Sequence, residues 1–163
     1  ADKKKKEDRN KDVKVRGMGM AACIHTGGGG VTAHAGNFSS ALLKVEGDGS
    51  VDLMTGVPDI GQGSDTVLAQ IAAEELGVKL EDMRVHAADT AITPSTQGVR
   101  GSRETFMAGN AAKLAAAKAK AELLKRASLM LEVGEEELDS AEGKIFLKAD
   151  PKRSITSSLH FGQ

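Results

Sequence analysis

The sequence predicts an α+β fold, a mixed sheet carrying two main helices. Three observations predict it. Two apolar runs flank a Gly-Asp-Gly turn at residues 39–55. Two stretches carry helical spacing, Thr66–Leu76 and Glu104–Arg126. Strand-like alternation lies between those helices and again after residue 138.

In chain order, Val13–Thr26 reads as a strand built from small residues. "GGGG" at 27–30 and "AHAGNF" at 33–38 read as a flexible loop. "SSALLKVEGDGSVDLMT" reads as a hairpin, because Asp48-Gly49 is a strong turn dipeptide between apolar runs. Val67, Leu68, Ile71, Ala72 and Leu76 recur at helical spacing, and Gly77 is a good stop. "MRVHAA" at 83–88 alternates as a strand does, and 89–102 is a loop rich in turn and hydroxyl residues. The second helix is long and Ala-rich. Ala108, Gly109, Ala111, Ala112, Ala115 and Ala116 allow close approach of another backbone, and Lys125 and Arg126 suit its negative C-terminal end. The tail reads as short strands turning at Glu142-Gly143 and at Asp150-Pro151. "EVGEEELDSAE" reads as a solvated acidic surface.

A chain of 163 residues holds one domain or two small lobes, and 40% hydrophobic residues suffice for a core. Aromatics are only 2%, without Trp or Tyr, so few rings exist on which bases can stack, and nucleic acid is not an expected partner. The net charge of −1 selects no polyanion. Residues 1–16 nevertheless carry eight Lys/Arg against four Asp/Glu, and read as a basic, frayed lead-in to a partial domain over 17–163. The chain opens in a lysine run without an initiator Met and stops at "SSLHFGQ", so both ends are expected to be cut from a longer polypeptide. No apolar stretch approaches the ~20 residues of a membrane span, so no membrane partner is expected. Cys23 lies in an apolar run and is expected to be a buried, inert thiol. A lone cysteine fits a reducing compartment, and the expected location is cytoplasmic.

The candidate site lies at two glycine-rich helix mouths. Gly61-Gln62-Gly63 precedes the first helix, and Gly101-Ser102-Arg103-Glu104 the second. Helix starts leave amides without intrahelical partners at the positive end of the dipole, which suits an anion. Gly61 and Gly63 bare those amides. Gln62 can donate and accept, and Ser64, Asp65 and Thr66 can cap the helix or donate to phosphate oxygens. Arg100 and Arg103 add guanidinium forks that match phosphate. Each mouth alone also reads as a capped turn; together they suit one extended, multi-phosphate ligand. Neither has the P-loop or the Gly-x-Gly-x-x-Gly pattern. His25, His34, His86 and His160 have no metal-ligand spacing and read as surface or hydrogen-bonding residues. No catalytic residue and no metal ligand is assigned.

"TGVPDIGQGSDTVLAQIAAEELGV", "DTAITPSTQGVRGSRETFMAGNAA" and "SSALLKVEGDGSVDL" closely resemble the molybdopterin-binding large subunit of the molybdenum hydroxylases, the family of xanthine dehydrogenase, aldehyde oxidoreductase and carbon monoxide dehydrogenase. The resemblance runs from about Gly17 to the end of the long helix. "SRETFMAGNAA" looks most like the 4-hydroxybenzoyl-CoA reductase branch. It implies a subdomain of the molybdopterin-binding domain and a pterin whose dithiolene holds molybdenum, commonly as the cytosine dinucleotide in bacteria. It implies cofactor contacts from Gly61, Gln62, Gly63, Ser64 and Thr66, and from Gly101, Ser102, Arg103 and Glu104. It also implies partners: the remaining lobes of a parent subunit, and iron–sulfur and FAD subunits or domains. Two positions depart from the family pattern. Ile60 stands where many relatives have Gln, and Glu104 where they often have a small hydroxyl residue; Glu104 is expected to turn outward. The family's catalytic glutamate belongs to a later Gly-Glu motif, and Gly134-Glu135 lies in the wrong context for it.

The resemblance therefore implies part of a molybdenum-dependent oxidoreductase, inactive alone. The contrasting expectation is a non-enzymatic association module that retains the fold. Self-association is expected of either, through apolar area that missing lobes would cover.

Overall fold

The computed structural model describes residues 17–25, 27 and 38–156. The element order is β1 (Ala41–Val45), β2 (Val51–Thr55), α1 (Ser64–Leu76), β3 (Met83–Ala87), α2 (Glu104–Leu131), β4 (Leu138–Ala141), β5 (Lys144–Leu147) and β6 (Asp150–Thr156). The first sheet has order β1-β2-β3, with β1 antiparallel and β3 parallel to β2; the second is an antiparallel meander, β4-β5-β6. The fold is α+β with a mixed sheet and two main helices, as the sequence predicts.

The predicted hairpin forms where the alternation places it. Val51, Leu53 and Thr55 point into the core, and Gly49 takes a positive φ in the turn. Ser50 Oγ donates to Asp48 Oδ1 at 2.7 Å, which closes that turn. The core is aliphatic: Val51, Leu53 and Val57 meet Leu68, Ala72 and Leu76 of α1 and Ala108, Ala112 and Ala116 of α2. Small residues let the two helices pack closely. A Cβ on Gly109 would lie 2.9 Å from Ile71 Cδ1. Four residues further along both chains, Lys113 Nζ stands 3.7 Å from Glu75 Oε2. Contacts that advance together along both sequences mean that α1 and α2 run parallel, with their N-termini at one end.

Several expectations are corrected. Residues 17–25 form no strand, and Cys23 is exposed, because Met18, Met20 and Ile24 of the same segment are themselves fully exposed and nothing described packs on them. The rest of that expected strand, the glycine-rich loop except Gly27 and Phe38, and the basic lead-in lie outside the described residues. Helix α1 starts two residues early, at Ser64. Its cap is Gly63 in the left-handed region, with no side-chain cap from Ser64, Asp65 or Thr66. Helix α2 passes Lys125 and Arg126 and ends at Leu131, because Ala127 is buried with Leu138 and Ile145 in a second apolar cluster under the meander. Burial of that turn outweighs the local charge signal. Lys120 Nζ donates to Asp139 Oδ1 at 2.7 Å, tying α2 to β4. The last reversal occurs at 148–149, and Pro151 lies inside the edge strand β6, where an absent N–H is tolerated.

Candidate functional site

Strands β2 and β3 end side by side, with Thr55 opposite Ala87. Each is followed by a loop and then a helix, so both helix mouths lie at the carboxyl edge of the parallel strands. Open α/β sheets bind ligands outside that edge. The two loops are stitched together there. A Cβ on Gly56 would collide with the carbonyl of Pro94, and the second loop is also tied to the chain entering β1, where Ser39 Oγ and Thr96 Oγ1 share a hydrogen bond of 3.0 Å.

At the mouth of α1 the structure supplies an anion from within the chain. Asp59 Oδ1 accepts from Gly61 N at 2.8 Å and from Gly63 N at 3.4 Å, and Asp59 Oδ2 accepts from Asp65 N at 3.5 Å. Donation from Gly61 and the neighbouring amides holds the Asp59 carboxyl below the usual range. Gln62 folds back on the same turn. Its Oε1 accepts from Ile60 N at 2.6 Å, and its Nε2 donates to Pro58 O and to Ser64 Oγ. Ser64 is buried, while Thr66 is exposed. The sequence reading missed Asp59. The signal for it is present: an Asp two residues ahead of a Gly, after Pro, is an Asx-turn pattern. Gly61 and Gly63 keep the turn open, since a Cβ at either would meet nothing within 4 Å, and both take positive φ.

At the mouth of α2, Gly101 and Ser102 both have positive φ, and Ser102 is exposed. Arg103 is 1% exposed. Its Nη1 donates to Gly98 O at 2.9 Å and its Nη2 to Phe38 O at 2.8 Å. The expected phosphate fork is therefore turned inward, joining the 98–103 loop to the chain entering β1. Arg100 Nη1 donates to Gln97 O. Glu104 is not turned outward either: both carboxylate oxygens are buried. Burial pushes its carboxyl above the usual range, opposed in part by the charge of Arg103. Burial likewise pushes the Asp65 carboxyl up, aided by the charge of Asp59.

Among the described residues, the buried side-chain polar atoms without a hydrogen-bond partner are Asp65 Oδ1, Arg103 Nε and the two Glu104 oxygens. All belong to the first turn or cap of α1 or α2. Native interiors pair most such groups, so this cluster of unpaired ones makes the edge the candidate site. No group of His, Cys, Asp or Glu among the described residues is arranged to hold a metal. His25 is exposed, and His86 Nε2 lies 2.9 Å from Asp52 Oδ1 across β2 and β3; His34 and His160 fall outside the described residues.

A family model described as a molybdopterin cofactor-binding domain matches residues 1–160. The chain belongs to this family. Similar proteins include the putative xanthine dehydrogenase molybdenum-binding subunit of Escherichia coli (strain K12), 32% identical over 159 residues, which cover 96% of this chain and 21% of that protein. The carbon monoxide dehydrogenase large chain of Hydrogenophaga pseudoflava is 39% identical over 121 residues, covering 74% of this chain and 15% of that one. Among solved structures, reconstituted CO dehydrogenase from Oligotropha carboxidovorans aligns with a TM-score of 0.69 and 36% identity, over 75% of this chain and 15% of that one. The chain thus spans about a fifth or less of the length of these relatives. Among its described residues, no helix is long and apolar enough to cross a membrane.

The Asp59 contact has a measurable consequence. A carboxylate with a depressed folded value stabilises the turn fully above its unfolded pKa and loses that contribution as pH falls through the folded value. The amide NMR shifts of Gly61 and Gly63 are expected to titrate together, with a midpoint below that of an ordinary Asp, and Asp59→Asn to abolish the transition. Shifts that stay flat through the acid range in the wild-type chain would exclude the contact.

Proposed function

We propose that this chain supplies one wall of a molybdenum-cofactor site in a larger oxidoreductase. The observation that carries the reading is the convergence of both helix mouths, with the buried unpaired polar atoms, at one edge of the sheet. The open backbone at Gly61 and Gly63 lets a flat ligand approach the first mouth, with Gln62 and Thr66 at its rim. Gly101, Ser102 and Glu104 face it from the second. Ser64 and Arg103 act from behind, holding Gln62 and the 98–103 loop in place. The donor set suits a pterin ring more than bare phosphate, because Asp59, Asp65 and Glu104 place three carboxylates at the two mouths. Phosphates of the cofactor, whether or not it carries a cytosine nucleotide, are assigned to the exposed Ser102 side and to surfaces beyond this chain.

A pterin-held molybdenum at this wall would supply redox chemistry towards the substrate, with iron–sulfur and FAD subunits or domains as the electron partners. The protein's part here is to orient the pterin and keep water from it. No catalytic residue is assigned to this chain, which alone is inactive in this reading and acts in the cytoplasm with the other lobes of its subunit. Residues 1–16 serve as a lead-in and 17–163 as the partial domain. Phe106, Leu114 and Leu42 are exposed apolar residues on α2 and β1, and give those lobes, or a second copy, a surface to cover.

The test is compositional. The protein as produced from its gene, under molybdenum-replete expression, is expected to contain molybdenum by mass spectrometry and to release a fluorescent pterin on acid oxidation, in equal amounts. Protein that carries neither overturns the proposal and leaves the association module.

A further inference from the structure

Residues 17–25, "GMGMAACIH", stand clear of the fold, with Met18, Met20 and Ile24 fully exposed. In an extended chain Met18, Met20, Ala22 and Ile24 share one face, and Gly17, Gly19, Ala21 and Cys23 the other. One face is bulky and apolar, the other is small, and no Lys, Arg, Asp or Glu interrupts either. Such an arm can be buried without burying a formal charge, but its backbone donors and acceptors then need partners. Its root is placed: a Cβ on Gly27 would lie 3.8 Å from Gly101 O, at the mouth of α2.

The fold offers those partners on β1, an outer strand of the first sheet. Glu46 N donates to Ser50 O at 2.8 Å, so the even-numbered residues of β1 pair with β2. The N–H and C=O groups of Ala41, Leu43 and Val45 therefore face away from it. No other described strand lies beyond them. Beside this edge runs a groove of about 590 Å³ between β1 and α2, lined by Ala111, Ala115 and Ala119. Leu42 and Leu114 also line it and are more than half exposed, so the molecule's own arm does not fill it. The outer strand β6 is blunted against pairing by Pro151, Lys152 and Arg153; β1 has no proline and one lysine.

We propose that residues 17–25 of one chain add as a strand to β1 of a second copy, and that the exchange is reciprocal. Met18, Met20 and Ile24 then fill the groove over the α2 alanines, where flexible Met side chains suit an irregular space. Nine arm residues and eleven groove residues give each chain twenty, at the lower bound of the roughly 20–30 a side found in stable interfaces of standard size. The pairing uses no residue assigned to the cofactor wall.

The test uses the full 163-residue chain. Sedimentation is expected to show a monomer–dimer equilibrium. Met20→Asp brings a charge into the groove and is expected to weaken dimerisation by about tenfold or more. Leu114→Glu is expected to do the same from the groove side. Both residues are exposed in the single chain, so circular dichroism should stay unchanged. An equimolar mixture of the two variants keeps one intact arm-and-groove pair, and is expected to dimerise more strongly than either variant alone. Cys23, on the arm face away from the groove, takes a spin label. Mixed with isotope-labelled chain that has no spin label, it is expected to broaden the Ala41, Leu43 and Val45 amides between molecules. Chain that stays monomeric at the concentrations NMR requires overturns the proposal. So does a dimer that both variants leave unchanged, and so does broadening confined to the spin-labelled molecule itself, which would put the arm in its own groove.

Discussion

Arg103→Met is expected to lower the unfolding free energy by about 3 kcal/mol, the largest loss from any change at the two helix mouths. The guanidinium is 1% exposed and bonds two main-chain carbonyls, Gly98 O and Phe38 O, that are 60 residues apart in sequence. Hydrogen bonds to a charged group contribute about 1.5–3 kcal/mol each, and removal of the cation leaves both oxygens to find other partners. Part of the loss is offset because a buried cation with an unpaired Nε is itself costly. Arg103→Lys should recover little, since one ammonium on a flexible stem does not reproduce the planar fork. Urea denaturation measures the loss. Hydrogen exchange adds a local readout, with faster exchange expected at Gly98–Ser102 ahead of the global transition. A loss under about 1 kcal/mol would mean that the inward fork is not formed in solution.

Gly77→Ala should cost as much or more, for a different reason. Gly77 closes α1 at φ +79, which a side chain adopts at a cost of about 1–2 kcal/mol. A Cβ there would also collide with the carbonyl oxygen of Ser140. That segment cannot retreat freely: Ser140 Oγ donates to Leu76 O at 2.7 Å, and Gly143 N donates to Gly77 O at 2.9 Å. The junction between α1 and the second sheet must open, and a total of about 3–4 kcal/mol is expected in thermal or urea unfolding. Gly61→Ala is the control. It has φ +104 but nothing within 4 Å of the added Cβ, so only the backbone strain of about 1–2 kcal/mol should appear. Equal losses at the two glycines would refute the packing argument.

The features legible in the sequence are those set by neighbours in the chain. Asp48-Gly49 between apolar runs specifies its hairpin, and the spacing of Leu68, Ala72 and Leu76 specifies a helix face. Gly77 specifies its stop. Two glycine-rich helix starts, each after a strand, are legible in the sequence, and the parallel pairing of β2 and β3 places both at one edge of the sheet. What was misread depended on contacts with distant residues. Arg126 carries a helix-end signal, but α2 continues because Ala127 meets Leu138 and Ile145. Arg103 looks like an anion fork, but its partners are the carbonyls of Gly98 and of Phe38.

The sequence by itself therefore determined the hairpin, the two helices and β3 in their order, and the two glycine-rich mouths, but not the absence of a strand over 17–25, since backbone propensity and hydrophobic period act over a few residues. Only the tertiary structure decided which way the charges at those mouths point. Asp59 turns onto the amides of its own turn, Arg103 turns inward, and Glu104 is left buried and unpaired. The balance between desolvation and pairing that sets such orientations depends on groups brought together by folding, and no local pattern contains it.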